Sequence, residues 1–381
     1  MPGWELVDQA ELFAIQDIFA QNNGVAFAHG FDKMRERYFV RELEAQVCEM
    51  VGAKYCQAVS SGSAGLYCAL RAIGVGPGDE VITSCFTFIA TIEAIMLAGA
   101  TPVCVDIDES FNLDPIEVEK AITGKTKAII PVHMAGASAD MESIISIAED
   151  HDLSVIEDAC QAMGATYGDD YVGTLGDIGV YSLDAGKVIQ CGEGGLIVTN
   201  NKMLYERCRM AHDHGHDYEG LMRSQEIPQM VGFNFRMTEL QAAYAMAQFR
   251  KLPAILKAQR GNCDQVREKI SWVNERRGNG KEYYLKDMSD CAGDCIIVIA
   301  GTSEKAEQIV KALAAEGVGT KNIPDALIWH FARNWKHIRS WPTHLWESSG
   351  WLLYRSVAIP IPVKMDDDYP ERVARALEAL I

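Results

Sequence analysis

The chain has 381 residues, with 35 Lys or Arg against 53 Asp or Glu, for a formal net charge of −18 with His neutral. That excess of acid excludes nucleic acid and anionic membrane surfaces as natural partners. A content of 48% hydrophobic and 23% charged residues excludes extended disorder. No apolar run reaches the roughly 18 residues of a membrane span, and Met1-Pro2-Gly3-Trp4-Glu5 lacks the basic and apolar regions of a secretory signal. Eleven cysteines, scattered and without a Cys-x-x-Cys pair, read as buried reduced thiols of a cytoplasmic protein. A zinc site or a disulfide framework is the alternative reading.

From residue 53 to 200 apolar strands alternate with helical stretches. Ser63 is a candidate cap for a helix whose apolar positions are Leu66, Leu70 and Ile73. A Gly76-Pro77-Gly78-Asp79 turn leads to a strand over 80–83, then a helix over 87–98 and a strand over 101–105. Residues 127–132 form a nearly continuous apolar run, the pattern of a strand buried on both faces. A helix over 141–151 and a strand over 153–157 complete the rhythm of an α/β domain with a mainly parallel sheet.

Near residue 250 the pattern changes. Thr238 and Gln241 form a capping box ahead of an apolar face at Leu240, Ala243, Tyr244 and Ala247. After Pro253 a polar helical stretch runs to about Ser271, and Gly278-Asn279-Gly280 breaks it. A strand over 296–300, a helix over 303–316 and an aromatic-rich segment over 329–351 read as a smaller α+β domain. The expected division is 1–250 for a large domain and 251–381 for a small one.

Three segments put glycine or polar residues where apolar strands end, the place where ligands gather in open α/β sheets. Ser60-Ser61-Gly62-Ser63-Ala64-Gly65 runs into a helix and is either a phosphate seat or a glycine turn with a serine cap. Glu157 and Asp158 follow a buried strand, where a carboxylate is costly unless something uses it; a solvated strand end is the alternative. Lys187 stands between apolar stretches and ahead of Gly192-Glu193-Gly194-Gly195. A partly desolvated lysine there has a lowered pKa and can act as a nucleophile. Phosphate seat, strand-end carboxylate and lysine together are the groups that pyridoxal phosphate (PLP) requires.

Ser182 with Lys187 and Gly192-Glu193-Gly194-Gly195 resembles the signature of the DegT/DnrJ/EryC1/StrS family of PLP-dependent sugar aminotransferases. Further resemblances follow in order at Ser61–Ala64, Phe86–Phe88, Pro131–Gly136, Glu157–Gln161 and Gly232–Ala243. They cover about residues 40–260. The resemblance implies an aspartate aminotransferase-like (type I) α/β fold and a homodimer with composite sites. It implies that Lys187 and Asp158 are catalytic, with Lys187 bonded to PLP and Asp158 on its ring nitrogen. Gly62, Ser63, Ala64 and Ser182 would seat the phosphate, with Asn234 reaching it across the dimer. Phe88 would stack on the ring and Gln161 would lie near its 3-hydroxyl.

Residues 2–6, 31–35, 213–217 and 334–338 resemble the family's enzymes that aminate C8 of a 3-deoxy-manno-octulosonate. This implies an amino-acid donor such as L-glutamate and an aldehyde sugar acceptor. A nucleotide-linked keto sugar, a cyclitol, or a non-catalytic PLP-binding regulator are the alternatives. A sugar dehydratase of the family would carry His in place of Lys187. His216, His330 and Arg333 are candidate acceptor contacts, Arg333 because a guanidinium holds a carboxylate through two hydrogen bonds. His133 reads either as a cofactor-region contact or as a satisfied strand-end histidine, and the aromatic run as core or interface.

Overall fold

The sequence rhythm becomes, in the computed structural model, a seven-stranded sheet in the order β1-β9-β8-β5-β4-β2-β3. The structure describes residues 2–217, 228–275, 283–286, 291–338 and 345–380. The first five strands are β1 (Tyr55–Val59), β2 (Glu80–Ser84), β3 (Thr101–Val105), β4 (Thr126–Ile130) and β5 (Ser154–Asp158). A two-residue hairpin, β6 (Thr166–Tyr167) with β7 (Asp170–Tyr171), stands apart from the sheet. β8 (Ile178–Ser182) and β9 (Gly195–Thr199) complete it. β3, β2, β4, β5 and β8 pair in parallel, and β9 alone runs against its neighbours.

Successive strand residues point to opposite faces, and both faces are covered. Cys56, Ala58, Leu196 and Val198 pack with the helix Phe39–Val51 and the long helix Glu239–Lys269. Val59, Val180 and Ile197 pack with the helices Gly62–Ala72 and Lys202–His212. A second, antiparallel sheet contains β10 (Tyr283–Leu285), β11 (Cys295–Ala300) and β12 (Ser356–Pro360). The helices Ser303–Ala315 and Tyr369–Glu378 pack against it through Ile309, Leu313, Val373 and Leu377.

Several local expectations change. Ser61, not Ser63, caps the helix Gly62–Ala72, its Oγ accepting from Ala64 N at 3.1 Å, and Ile73 lies just past the helix end. The helix expected from Thr87 starts at Ala90 because tertiary pairing takes the backbone before it. Thr87 N donates to His330 O, Ile89 N to Trp329 O, and Ala332 N to Cys85 O. The stretches read on either side of Pro253 form one helix, Glu239–Lys269, starting at the Thr238–Gln241 capping box. Pro253 removes one hydrogen bond, but Ala242–Leu256 and Cys263–Ile270 are anchored in separate cores. Residue 250 lies inside this helix, which both parts of the chain share.

The aromatic segment is largely core. Phe331 and Trp335 are fully buried with Phe86 and Trp346, whereas Trp329 is exposed and Trp341 lies outside the described residues. No described helix is long and apolar enough to cross a membrane.

At the end of β5 the fully buried Glu157 braces the scaffold. Its carboxylate accepts from Gly173 N (2.6 Å), Leu175 N (2.7 Å) and Gly176 N (2.6 Å) and faces His133 Nε2 at 3.0 Å. His133 Nδ1 accepts from Ala139 N, so this histidine is satisfied within the scaffold. Glu157→Ala should therefore strand three backbone donors and cost roughly 3–5 kcal/mol of stability. Denaturant unfolding checks this; a loss below about 1 kcal/mol would mean the 173–176 turn finds other acceptors.

Candidate active site

The carboxyl ends of β1, β5 and β8 and the loops after β2 and β8 converge on one cavity of about 440 Å³. Gly62, Ser63, Phe88, Asp158, Gln161, Ser182, Lys187 and His330 all line it. Asp158, the last residue of β5, is 5% exposed. Its Oδ2 accepts from Thr91 Oγ1 at 2.8 Å and its Oδ1 from Cys160 N at 3.2 Å, so the carboxylate is held from both sides. Thr91 Oγ1 is also 2.7 Å from Thr87 Oγ1, which links the Phe88 loop to Asp158.

Lys187 is half-buried in the turn between β8 and β9, where Lys187 N donates to Asp184 O and Gly186 N to Asp184 Oδ1. Gly192, at φ 82°, makes the left-handed turn back toward β9. The N-terminal helix reaches this turn as well: Gly3 N donates to Lys187 O at 3.1 Å.

The phosphate seat has a physical basis. Gly62 is buried, and a Cβ there would lie 2.9 Å from Cys160 Sγ and 3.0 Å from Ser182 Cβ. Only glycine lets the helix start approach β8 this closely. With Ser61 serving as the cap, the exposed Ser63 keeps its hydroxyl for the cavity, and Ser182 Oγ faces it from β8. A helix N-terminus flanked by hydroxyls suits a phosphate. Asp158, Lys187, Phe88 and Gln161 supply the carboxylate, amine, apolar ring and amide that the rest of PLP requires. The donor set fits the cofactor.

Four candidates lie elsewhere. Ala64 does not line the cavity, because its N–H is taken by the Ser61 cap. Asn234 is exposed on the strip that pairs with Asp213, away from its own chain's cavity. His216 is tied by its backbone to Asp213 O and does not reach the cavity. Arg333 lines a separate cavity with Trp351 and Arg355, because the turn that brings His330 to Phe88 carries Arg333 past the site.

His330 sits 5.4 Å from the Phe88 ring, ring centre to ring centre, and its Nδ1 is 2.9 Å from Ala326 O. Burial pushes its pKa below the ordinary value, keeping the imidazole neutral. Cys160, half-buried at the cavity wall, has its thiol pushed up by burial and so stays protonated at neutral pH.

Sequence reasoning missed Thr91, Asp294, Lys321 and Asn322, all of which line the cavity. Thr91 carried one signal, a hydroxyl four residues after Thr87 in an apolar stretch. Asp294 and Lys321 carried none, since they come from separate segments and meet only in the folded chain.

Comparison with known proteins agrees with this geometry. The model of the DegT/DnrJ/EryC1/StrS aminotransferase family matches residues 25–378. A pleiotropic regulatory protein of Geobacillus stearothermophilus is 41% identical over 68% of this chain and 64% of its own length. The GDP-perosamine synthase of Caulobacter vibrioides is 41% identical over 62% of this chain and 63% of its own. That of Escherichia coli O157:H7 is 34% identical over 75% and 76%. The chain thus spans just under two thirds of the length of the first two. Among solved structures, an aminotransferase from Psychrobacter cryohalolentis superposes with a TM-score of 0.87 at 26% identity, covering 98% of this chain and 96% of its own. The ntda protein of Bacillus subtilis, with bound cofactor PMP, superposes with a TM-score of 0.85 at 25% identity, covering 100% and 84%.

Thr91→Val removes the hydroxyl that orients Asp158 while keeping the side-chain shape. Losing one hydrogen bond of about 1–1.5 kcal/mol should slow amino transfer roughly tenfold. Thr91→Ser should restore the rate in single-turnover kinetics. Equal rates for the valine variant and the wild type would show that Cys160 N alone suffices to hold the carboxylate.

Proposed function

Because the chain belongs to the DegT/DnrJ/EryC1/StrS aminotransferase family and is a PLP-dependent aminotransferase, we propose that it transfers the amino group of L-glutamate to 8-oxo-3-deoxy-manno-octulosonate. The product is the 8-amino-3,8-dideoxy sugar acid. The observation that carries the catalytic part is the convergence of Lys187, Asp158 and the Gly62–Ser63 helix start on one cavity. Its size, about 440 Å³, is in the range of a small-molecule site. The acceptor rests on the likeness of residues 31–35, 213–217 and 334–338 to enzymes acting on that sugar acid.

Bound in this cavity, PLP supplies an electron sink for the substrate's Cα. Lys187 would hold the cofactor through its amine, and its free amine would move the proton at the substrate Cα. Asp158, fixed by Thr91 and Cys160 N, would keep the proton on the ring nitrogen. Gly62, Ser63 and Ser182 would bind the phosphate, Phe88 would cover the ring and Gln161 would lie near the 3-hydroxyl, all from the lining of this cavity. His330, kept neutral by burial, adds no positive charge beside Lys187.

A nucleotide-linked keto sugar is the second reading, favoured by the relatives named GDP-perosamine synthase. The deciding experiment incubates holoenzyme with L-glutamate and equal amounts of the 8-oxo octulosonate and nucleotide-linked 4-keto or 3-keto sugars, with products identified by mass. The octulosonate should be aminated in preference; a preference for a nucleotide-linked sugar would replace this acceptor and leave the transaminase unchanged. In the same preparation, borohydride reduction and peptide mapping should place the pyridoxyl label on Lys187.

The active unit is a homodimer in which Asn234 completes the partner's phosphate site. Asn234 is exposed beside exposed Val231 and Phe233, and Trp4, Phe13 and Phe19 are also exposed. Apolar surface of this kind suits burial against a second copy. Sedimentation at assay concentration should show a dimer, and a fully active monomer would refute the composite site.

A further inference from the structure

Once Lys187 is committed to the cofactor, Lys321 is the remaining Lys or Arg among the residues lining the cavity. It comes from the other part of the chain, in the segment after the helix Ser303–Ala315, and its backbone is fixed there. Lys321 N donates to Ala358 O at 2.9 Å, and Ile323 N donates to Lys321 O at 2.7 Å. Next to it, Asn322 takes a left-handed φ of 64° and its amide donates to Gln161 Oε1 at 3.2 Å. The segment is thereby tied to the loop after β5 that carries Asp158.

The Lys321 ammonium pairs with Asp294, which also lines the cavity. Lys321 is 23% exposed at its side chain and Asp294 only 6%. Desolvation is the largest single influence and pulls the ammonium's pKa down, but the charge and hydrogen bond of Asp294 together with Cys295 and Cys291 turn the net direction upward, so Lys321 stays protonated. An ammonium has three N–H donors. One is spent on Asp294, and the other two have no partner among the described residues. Asp294 is itself incompletely satisfied, because its buried Oδ1 accepts no hydrogen bond. A buried carboxylate with one unsatisfied oxygen holds the half-buried ammonium at the cavity wall, leaving its remaining donors open to a ligand there.

We propose that Lys321 is the substrate-carboxylate anchor of this active site, with Asp294 as the counterion that holds the ammonium in place and competes with the ligand for it. Donor and acceptor share the cavity, so one anchor can serve a carboxylate of the amino acid, that of a sugar acid, or both in turn. This rests on the aminotransferase reading only in taking both substrates to enter that cavity. It also puts the acceptor's cation at Lys321 rather than at Arg333, which lies in a separate cavity.

The test is calorimetric titration of the holoenzyme with two unreactive carboxylates. Glutarate stands for the donor, and 3-deoxy-manno-octulosonate, without a C8 aldehyde, stands for the acceptor. Lys321→Met should weaken binding of one or both about ten- to a hundredfold, the value of a charge-assisted hydrogen bond. The cofactor's visible absorbance should remain, and Lys321→Arg should recover much of the affinity. Asp294→Asn should instead tighten binding severalfold, because it removes the competing charge and keeps the shape. A pair with a purely structural role predicts that both substitutions weaken binding.

Weakening confined to glutarate assigns the anchor to the donor, and weakening confined to the octulosonate assigns it to the acceptor. Wild-type affinity for both carboxylates in Lys321→Met overturns the proposal, as does weaker binding in Asp294→Asn or no carboxylate binding by the wild type. If glutamate fails to change the wild-type absorbance while carboxylates still bind, the donor reading falls and the anchor stands.

Discussion

Two consecutive carboxylates at the end of β5 organise this molecule. A strand sends neighbouring side chains to opposite faces, so Glu157 and Asp158 cannot serve the same purpose. Glu157 turns into the protein and gathers the backbone donors of residues 173–176 together with His133. Asp158 turns to the cavity and is held by Thr91 and Cys160 N. The charge that braces the scaffold and the charge that faces the cavity are thus adjacent in sequence. Each makes the other affordable, because the turn fixed by Glu157 leads straight into β8, the strand that ends at Ser182.

The cavity is a product of both sheets. The parallel sheet supplies the Gly62–Ser63 helix start, the Asp158 carboxylate and Lys187 at or just beyond the carboxyl ends of its strands, where open α/β sheets generally bind ligands. The opposite wall, with Asp294, Lys321, Asn322 and His330, comes from segments around the smaller sheet. Links between the two walls include the hydrogen bond from Asn322 to Gln161, the pairing of residues 85–89 with 329–332, and the long helix shared by both cores. Parts of this wall differ in chemistry from the first.

The electrostatics point the same way. A chain of net charge −18 repels anions at long range, so an acidic substrate must be held by local charge. The half-buried Lys321 at the cavity wall is a charge of that kind, acting at short range where screening by water and salt is reduced. His330, neutral through burial, leaves the balance to Lys187 and Lys321 against the acids that line the cavity.

Much of the scaffold was legible in the residues themselves. The strands around 80–84, 101–105, 126–130 and 154–158 follow from apolar runs bounded by turn residues, and the start of the long helix from its Thr238–Gln241 box. Gly62, Asp158, Ser182 and Lys187 stand at strand ends in motifs that local sequence can show. The start of the helix at Ala90 and the continuity through Pro253 were hidden, because long-range pairing decides the first and two separate cores the second. Arg333 and Lys321 mark the sharpest limit. Both are basic residues in the same region, and only folding puts Lys321 at the cavity beside Asp294 and Arg333 in another. Composition and spacing determine which chemistry the chain can carry, because short-range patterns set strands, caps and turns. Which charges meet across the two sheets belongs to the tertiary structure, because contacts between residues as distant as 294 and 321 depend on how whole elements pack.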